Sequence, residues 1–314
     1  MSIHAVKRAQ CHLAWDNSIP PVLRVKSGET VTFDCLDASN GQITPAATAA
    51  LLPSLSMTSL DQVNGPIFVE SAMPGDTLQV DVLDMTPAEW GWTGIFPGFG
   101  ILADEFTELA LKIWDLKTYD KGFAWFDKAK GIKVPLRPFA GEMGVASGAK
   151  GAFSTIPPYR TGGNIDTKHV TRGTTLYLPI EAEGALFSLG DGHAAQGDGE
   201  VCGTAIETPM NATVRLTVLK DRPYVKTPHF ATNGSTDDPR GSYCTTGVGP
   251  DIREAARDAV RHMITFLGEE HGLDRTEAYM LCSVAGDLRM HEVVDMPNYL
   301  IGMMMPKSIF SNVE

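Results

Sequence analysis

The chain has 314 residues, an apolar fraction of 43% and a formal net charge of −12. This length is enough to bury the core of one large or two ordinary domains. The negative charge argues against nucleic-acid binding, and no segment approaches the roughly 20 uncharged residues of a membrane span. Because the N-terminal region lacks the apolar segment of a secretory signal, we predict a cytoplasmic protein whose partner is a small molecule, with no nucleic acid and no membrane.

Short β-branched runs separated by glycine and proline extend through much of the chain. Residues 20–37 contain two such runs, residues 76–85 nearly alternate apolar and polar side chains, and residues 174–219 continue the pattern. The turns between these runs have the spacing typical of two-sheet proteins. We therefore predict a mainly β fold with α+β elements, in which residues 10–220 form a core like a β-sandwich or jelly roll.

Two helices are predicted near the C-terminus. Residues 250–272 carry an apolar stripe at helical spacing, with a proline suited to the first turn and Gly272 at the end. Residues 274–288 follow, and Asp274 and Glu277 have the spacing of a capping box. We expect the two segments to form a helical hairpin that packs on the β core.

The domain organisation is predicted to be a single unit over residues 1–314. It consists of the β-rich core, an irregular loop or lid at residues 221–250, and a helical part at residues 251–314. The five cysteines are widely spaced and form no CxxC pair, which argues against a disulfide framework and against a zinc knuckle.

Residues 88–106 place two tryptophans and three phenylalanines among five glycines and prolines. Such a segment cannot be regular helix or strand throughout. Aromatic rings held on a loop are typical of a pocket wall, although they could instead cover a dimer surface.

The sequence GDGHAAQGDGE at residues 190–200 concentrates acids and glycines around one histidine. If the preceding strand continues through His193, then Asp191 and His193 lie on the same face and can share one ion. An imidazole beside carboxylates suits zinc or a similar divalent cation, and three protein ligands leave a position for water. The alternative is a pair of Gly-Asp-Gly turns, although turn chemistry explains neither the histidine nor the glutamine.

The same stretch resembles the GDxHxxQGDGE signature of the acetamidase/formamidase family. Further segments resemble motifs of this family in the same order, so the similarity covers nearly the whole chain; these segments are His12 to Trp15 with Pro20 and Pro21, DASNGQI (37–43), Gly65-Pro66 through Pro74-Gly75-Asp76, GGNID (162–166) and residues 279–298. Two departures stand out. The approach to Gly65, LDQVNGP (60–66), is shorter than the Asn-Pro-x-x-Gly-Pro run common in relatives, and Glu142 stands where many members carry an apolar residue.

The resemblance implies a metal-dependent amidase that hydrolyses short aliphatic amides, such as formamide or acetamide, to carboxylate and ammonia. It implies a divalent metal as cofactor and a homo-oligomer such as a dimer. The types of the candidate ligands favour zinc as the metal. With the resemblance, we assign Asp37, Asp191 and His193 as metal ligands. Glu200 is assigned as the proton shuttle, although it could itself be a ligand, and Gln196 as a donor to the substrate carbonyl.

Three further residues are assigned to substrate binding. His12 belongs to the family's opening motif, although a lone histidine before a tryptophan is often structural. Asn164 could orient the substrate amide or cap the turn made by its neighbouring glycines. Glu142 is a possible second base. The remaining histidines show no ligand spacing and are predicted to be surface or packing residues, namely His4, His169, His229, His262, His271 and His291.

Other functions are weaker on this sequence. A serine mechanism lacks a G-x-S-x-G elbow, and Cys202 has the alternation of a core strand residue. A different metalloenzyme on a β-sandwich would need more histidine ligands than His193 alone. A non-catalytic module that holds calcium in its acidic turns would need all-oxygen ligands.

Overall fold

The computed structural model describes residues 3–234 and 240–310. They form a mainly β protein with a C-terminal pair of helices, which confirms the predicted fold class. In these ranges, neither helix combines the length and the apolarity needed to cross a membrane. The helices are α1 (Ile252–His271) and α2 (Arg275–Ala285), and the strands are β1 (Ile3–Val6), β2 (Cys11–His12), β3 (Ala14–Trp15), β4 (Leu23–Val25), β5 (Glu29–Cys35), β6 (Val63–Val69), β7 (Thr77–Pro87), β8 (Trp90–Ile95), β9 (Ala110–Asp115), β10 (Phe123–Asp127), β11 (Ile132–Pro135), β12 (Phe139–Gly144), β13 (Phe153–Ser154), β14 (Pro158–Tyr159), β15 (Gly162–Asn164), β16 (Thr175–Pro179), β17 (Ala185–His193), β18 (Met210–Leu219), β19 (His229–Ala231), β20 (Ser242–Gly249), β21 (Asp287–Glu292) and β22 (Tyr299–Pro306).

Two large sheets build the core. The first has nine strands in the order β1-β5-β18-β7-β16-β19-β20-β22-β21, and the second has seven, β14-β15-β12-β17-β6-β2 with β4 beside β6. Apolar side chains of both sheets meet in one buried cluster. Within it, Phe33 of β5 and Phe187 of β17 pack edge to face with ring centroids 6.2 Å apart. The two sheets therefore enclose a common apolar core, as in a sandwich.

The helical pair covers one end of the nine-stranded sheet. Asp251 caps α1, and Gly272 ends it in the left-handed conformation, with φ 69°. Asp274 and Glu277 form the predicted capping box of α2. Apolar side chains of both helices pack together with those of β20 and β22 in a second buried cluster.

The chain after residue 220 contains more strand than the sequence pattern indicates. Strands β19 and β20 lie within residues 221–250, and β21 and β22 follow the helices. Residues 235–239 of the segment predicted as a loop or lid lie outside the described residues. Strands β20 and β22 have neighbours on both sides and are buried on both faces, so they lack the alternation by which a strand is recognised.

His229 in β19 makes the stability of the protein depend on pH. It is fully buried, and burial, with smaller effects of His262 and Arg222, lowers its pKa to about 3. Below pH 6.5 the unfolded chain binds a proton that the folded chain does not accept. Its stabilising effect is therefore complete above pH 6.5 and declines as the pH falls toward 3.

We expect the free energy of unfolding to fall by about 2 kcal/mol at pH about 5, because His229 is protonated there in the unfolded chain but not in the folded protein. Denaturant unfolding of the wild type and of His229→Gln at several pH values measures this effect. The cavity left by the substitution shifts the curve of the variant equally at every pH. If the free energies of unfolding of the two proteins fall in parallel as the pH drops from about 6.5 to about 5, the prediction is wrong.

Candidate active site

His193 is the last residue of β17, and its imidazole is 1% exposed. Its Nε2 lies 2.8 Å from Asp191 Oδ2 and 3.0 Å from Glu207 Oε2. On the other side of the ring, Nδ1 donates a hydrogen bond to Gln196 Oε1 at 3.0 Å. One ring nitrogen is thus held by an amide, while the other faces two carboxylates.

The backbone pairing explains this convergence. Asp191 and His193 are two residues apart on β17, and their side chains meet, as the spacing predicts. Glu207 is brought in by an antiparallel bridge to His193 and a second bridge to Trp92. On the neighbouring strand β12, a Cβ on Gly141 would lie only 2.2 Å from Asp191 Oδ2. A side chain at that position would fill the space between the acids.

Several buried acids extend this arrangement. Three overlapping groups of side chains each bring three possible ligand atoms within 4.8 Å of one another. We call the six residues of these groups the His193 cluster: Asp166, Asp191, His193, Glu200, Glu207 and Asp295. All six are buried. Within the described part of the chain, Asp191 Oδ1, Glu207 Oε2 and both oxygens of Asp166 have no hydrogen-bond partner. The cluster therefore combines one imidazole with oxygen atoms that are free to bind a cation.

Three residues of the cluster, and Asp61 on the cavity wall, have left-handed backbone conformations. Asp61, Asp166, Asp191 and Glu200 have φ values of 55°, 37°, 52° and 46°, in the left-handed region. Residues other than glycine are uncommon there, and each such conformation costs about 1–3 kcal/mol. Strain of this kind persists where the surrounding structure fixes side chains for a function.

The electrostatics of the cluster follow from its burial. Burial lowers the pKa of His193, but the charges of Asp191 and Glu207 outweigh it and raise that pKa well above its usual value. Burial raises the pKa of Glu207 and of Glu200 well above the ordinary range. The pKa of Asp166 rises to about 6, again mainly through burial. An excess of buried acid over base thus favours a positive charge near His193 Nε2.

A cavity of about 280 Å³ adjoins the cluster. Trp92, Phe96 and Phe99, from the aromatic segment, form part of its wall, as expected for rings that line a pocket. Glu207 belongs to both the cavity wall and the cluster, and Asp61 is the other acid on this wall. A small molecule in the cavity would therefore lie next to the His193 cluster.

The structure brings some predicted site residues together and separates others. Asp191, His193 and Glu200 share the cluster, whereas Asp37 belongs to none of the candidate ligand groups found among the described residues. Asp37 Oδ1 instead accepts hydrogen bonds from the side chain of Ser39 and from Trp92 Nε1, the latter at 2.9 Å. Asp37 thus supports two residues of the cavity wall.

The other predicted residues have these positions. Gln196 Nε2 donates to the Asp166 carbonyl at 2.7 Å, so its amide is engaged on both sides. The ring nitrogens of His12 lie 2.8 Å from the Ala14 carbonyl and from Ser188 Oγ. Asn164 Nδ2 donates to the Ile156 carbonyl and to Asp295, and Glu142 is fully buried.

Sequence reasoning missed Glu207, Asp166 and Asp61. Asp166 could have been identified from the sequence, because it is the last residue of the GGNID segment. Glu207 follows the apolar residues Ala205 and Ile206. An acid in an apolar stretch was the one sign in the sequence that this residue could be buried at a site. Asp61 stands in the LDQVNGP segment, which departs from the family pattern.

His169 and His291 form a separate group with Asp198. Asp198 already pairs with Lys168 and Arg289 at 3.1 and 3.0 Å. These two cations oppose the binding of a metal ion at that point. The contacts agree with the predicted packing role of the two histidines.

The fold and the cluster together define a two-sheet, mainly β protein with a buried imidazole–carboxylate site. The sequence pattern of the Acetamidase/Formamidase family matches residues 2–150 and 147–312. The chain therefore belongs to this family, whose members are hydrolases that act on linear amides.

Individual relatives agree with this assignment. A formamidase of Methylophilus methylotrophus is 28% identical over 367 positions, which cover 96% of this chain and 89% of the relative. An acetamidase of Mycolicibacterium smegmatis is 32% identical over 255 positions, which cover 62% and 63%. The crystal structure of an acetamidase from Bacillus halodurans superimposes with a TM-score of 0.87 at 30% identity, over 98% of both chains.

Proposed function

We propose that this protein is a metal-dependent amidase that converts a short aliphatic amide to a carboxylate and ammonia. The observation that carries the proposal is the convergence of His193 Nε2 with Asp191 and Glu207 beside the cavity. Family membership supports the hydrolysis of amides, and the cluster supports the dependence on a metal.

The residues fit a divalent cation. His193 Nε2 lies 2.8 Å from Asp191 Oδ2 and 3.0 Å from Glu207 Oε2, and Glu200 and Asp166 belong to overlapping candidate groups that could add an oxygen. Burying three acids around one imidazole is unfavourable unless protons or a cation compensate their charge, and a divalent cation can replace several protons at once. One imidazole with carboxylates is a ligand set that suits zinc, so zinc is the metal that we propose.

Each of the remaining residues has a task around that centre. When bound, a divalent cation would lower the pKa of a coordinated water to near neutrality and polarise a carbonyl oxygen. Gln196 accepts from His193 Nδ1, which fixes the ring so that Nε2 faces Asp191 and Glu207, where it would bind the cation once its proton is released. We therefore propose that Gln196 positions the His193 ring and does not donate to the substrate carbonyl. Glu200 remains the proposed proton shuttle.

Glu200 can hold a proton near neutral pH because burial and the charge of Asp166 raise its pKa. A protonated carboxyl beside the cluster can supply the proton that departing ammonia requires. Asn164 donates to the carbonyl of Ile156, a residue of the cavity wall, so we propose that it supports the wall and does not contact the substrate. His12 and Asp37 are proposed to support the site through Ser188 and Trp92, respectively.

The cavity accounts for the substrate class. Its volume of about 280 Å³ accommodates a molecule of a few heavy atoms, and three aromatic rings make part of its wall apolar. Formamide and acetamide meet these limits. A homodimer and a cytoplasmic location remain predictions from the sequence and the resemblance.

Metal removal tests this function. Protein purified without a histidine tag is expected to contain about one divalent ion per chain, and ammonia release from formamide or acetamide should stop after chelation. Added zinc should restore it, while circular dichroism shows that the chelated protein stays folded. Full activity of the metal-free protein would contradict the dependence on metal, and no ammonia from any short amide in zinc-loaded protein would contradict the amidase.

A further inference from the structure

A second cavity, of about 570 Å³, also adjoins the His193 cluster. It meets the cluster at Glu200, whereas the cavity of about 280 Å³ meets the cluster at Glu207. Thr204 lines both cavities, so the segment from Glu200 to Glu207 separates them. Two small molecules can therefore lie next to the cluster at the same time, one in each cavity.

The second cavity carries an excess of positive charge. Arg137 and Lys168 line it, together with the acids Asp198 and Glu200. Lys168 Nζ lies 3.1 Å from Asp198 Oδ1, and a guanidinium nitrogen of Arg289 lies 3.0 Å from Asp198 Oδ2. Both oxygens of Asp198 are thus already paired, and the raised pKa of Glu200 keeps its carboxyl protonated. The three cations therefore outnumber the one charged acid among these residues.

Arg137 is the cation of this wall that lacks a paired acid. Its backbone N–H donates to the Ala194 carbonyl at 3.0 Å, which fixes the residue beside the end of β17. Within residues 3–234 and 240–310, no carboxylate forms an ion pair with its guanidinium, and Asp198 attracts it only from a longer distance. The residue is accessible to solvent, yet burial lowers its pKa more than Asp198 raises it. An anion beside Arg137 would stabilise its charged form.

The rest of the wall is largely apolar. Trp114, Phe126 and Val134 line the cavity, and the rings of Trp114 and Phe126 lie with their centroids 5.7 Å apart. A guanidinium binds a carboxylate through two parallel N–H groups, and apolar side chains accommodate an alkyl group. The wall thus matches a short carboxylate with an alkyl tail. Hydrolysis of a short aliphatic amide produces a molecule of this class.

We propose that the second cavity is a binding subsite for short carboxylates, that Arg137 binds the carboxylate group, and that the acid product of the reaction occupies it. The proposal rests on the amide hydrolysis proposed above and adds a site of product inhibition to it. A carboxylate at Arg137 lies in the same cavity as Glu200 and Gln196, the residues proposed to transfer the proton and to position the His193 ring. Its binding therefore slows turnover without displacing the amide from the other cavity.

Inhibition kinetics test the proposal. Propanoate is added during hydrolysis of formamide by the zinc-loaded wild type, with 1-propanol as a neutral compound of similar size. Propanoate is expected to lower kcat with little change in KM, and 1-propanol should inhibit far less. In Arg137→Gln the inhibition constant of propanoate should rise by about tenfold or more. Arg172→Gln removes an exposed arginine that does not line the cavity, and it should keep the wild-type inhibition constant.

Direct binding separates the subsite from a metal ion and from turnover. Calorimetric titration of the chelated, metal-free protein with propanoate should show binding, and Arg137→Gln should weaken it by about tenfold. Purely competitive inhibition, the same inhibition constant in Arg137→Gln and in the wild type, or no binding to the metal-free protein would each overturn the proposal. Failure of the amidase function has a different signature, since ammonia would then not be released while the calorimetric titration still decides whether the subsite exists.

Discussion

Replacing His193 by alanine is expected to lower kcat/KM for a short amide by about 10³-fold or more, or about 4 kcal/mol of transition-state stabilisation. His193 supplies the one nitrogen ligand of the cluster, and its removal leaves the Asp191 and Glu207 carboxylates facing each other without a base between them. Steady-state kinetics and metal analysis of the purified variant measure the two consequences. Metal content should fall together with activity.

His12→Ala is the matched comparison, since His12 was also predicted to belong to the site. Its two ring nitrogens are engaged by the Ala14 carbonyl and Ser188 Oγ, outside the His193 cluster. We expect it to retain its metal and to lose activity by about tenfold at most, as for residues that act through others. Equal losses in the two variants would contradict the assignment of His193 as the ligand.

The features of this protein that the sequence predicts correctly are those that depend on residues close together in the chain. The end of α1 at Gly272 and the capping box of Asp274 and Glu277 each depend on a few neighbouring residues. The meeting of Asp191 with His193 depends only on their spacing along one strand. Such features can be read without knowledge of how distant segments pack.

The rest of the site depends on contacts between distant segments. Glu207 reaches His193 through bridges that involve β8, and no pattern near residue 207 indicates this pairing. Asp37 lies in a motif that the resemblance implies is functional, but its carboxylate accepts from Trp92, which is 55 positions away. Composition shows which side chains can bind a metal, whereas the sheet pairing determines which of them converge.

Glu200→Gln is expected to reduce kcat by about 10²-fold or more while the metal remains bound. Glu200 is 6% exposed and lies in candidate groups with His193 and Glu207 on one side and with Asp166 and Asp295 on the other. Its raised pKa keeps its carboxyl protonated at a pH where an ordinary glutamate is charged. Glutamine has nearly the same shape but cannot release a proton, so the variant tests proton transfer separately from packing.

The pH profile identifies the role. If protonated Glu200 delivers the proton, kcat of the wild type should fall as the pH rises through the pKa of this group, and the glutamine variant should lack that limb. If Glu200 is instead a ligand, metal analysis would show loss of the ion from Glu200→Gln, and Glu200→Asp would recover part of it. A variant with normal metal content, normal kcat and an unchanged pH profile would exclude both roles. The proton for ammonia would then come from another acid of the cluster, such as Asp166, whose pKa rises to about 6.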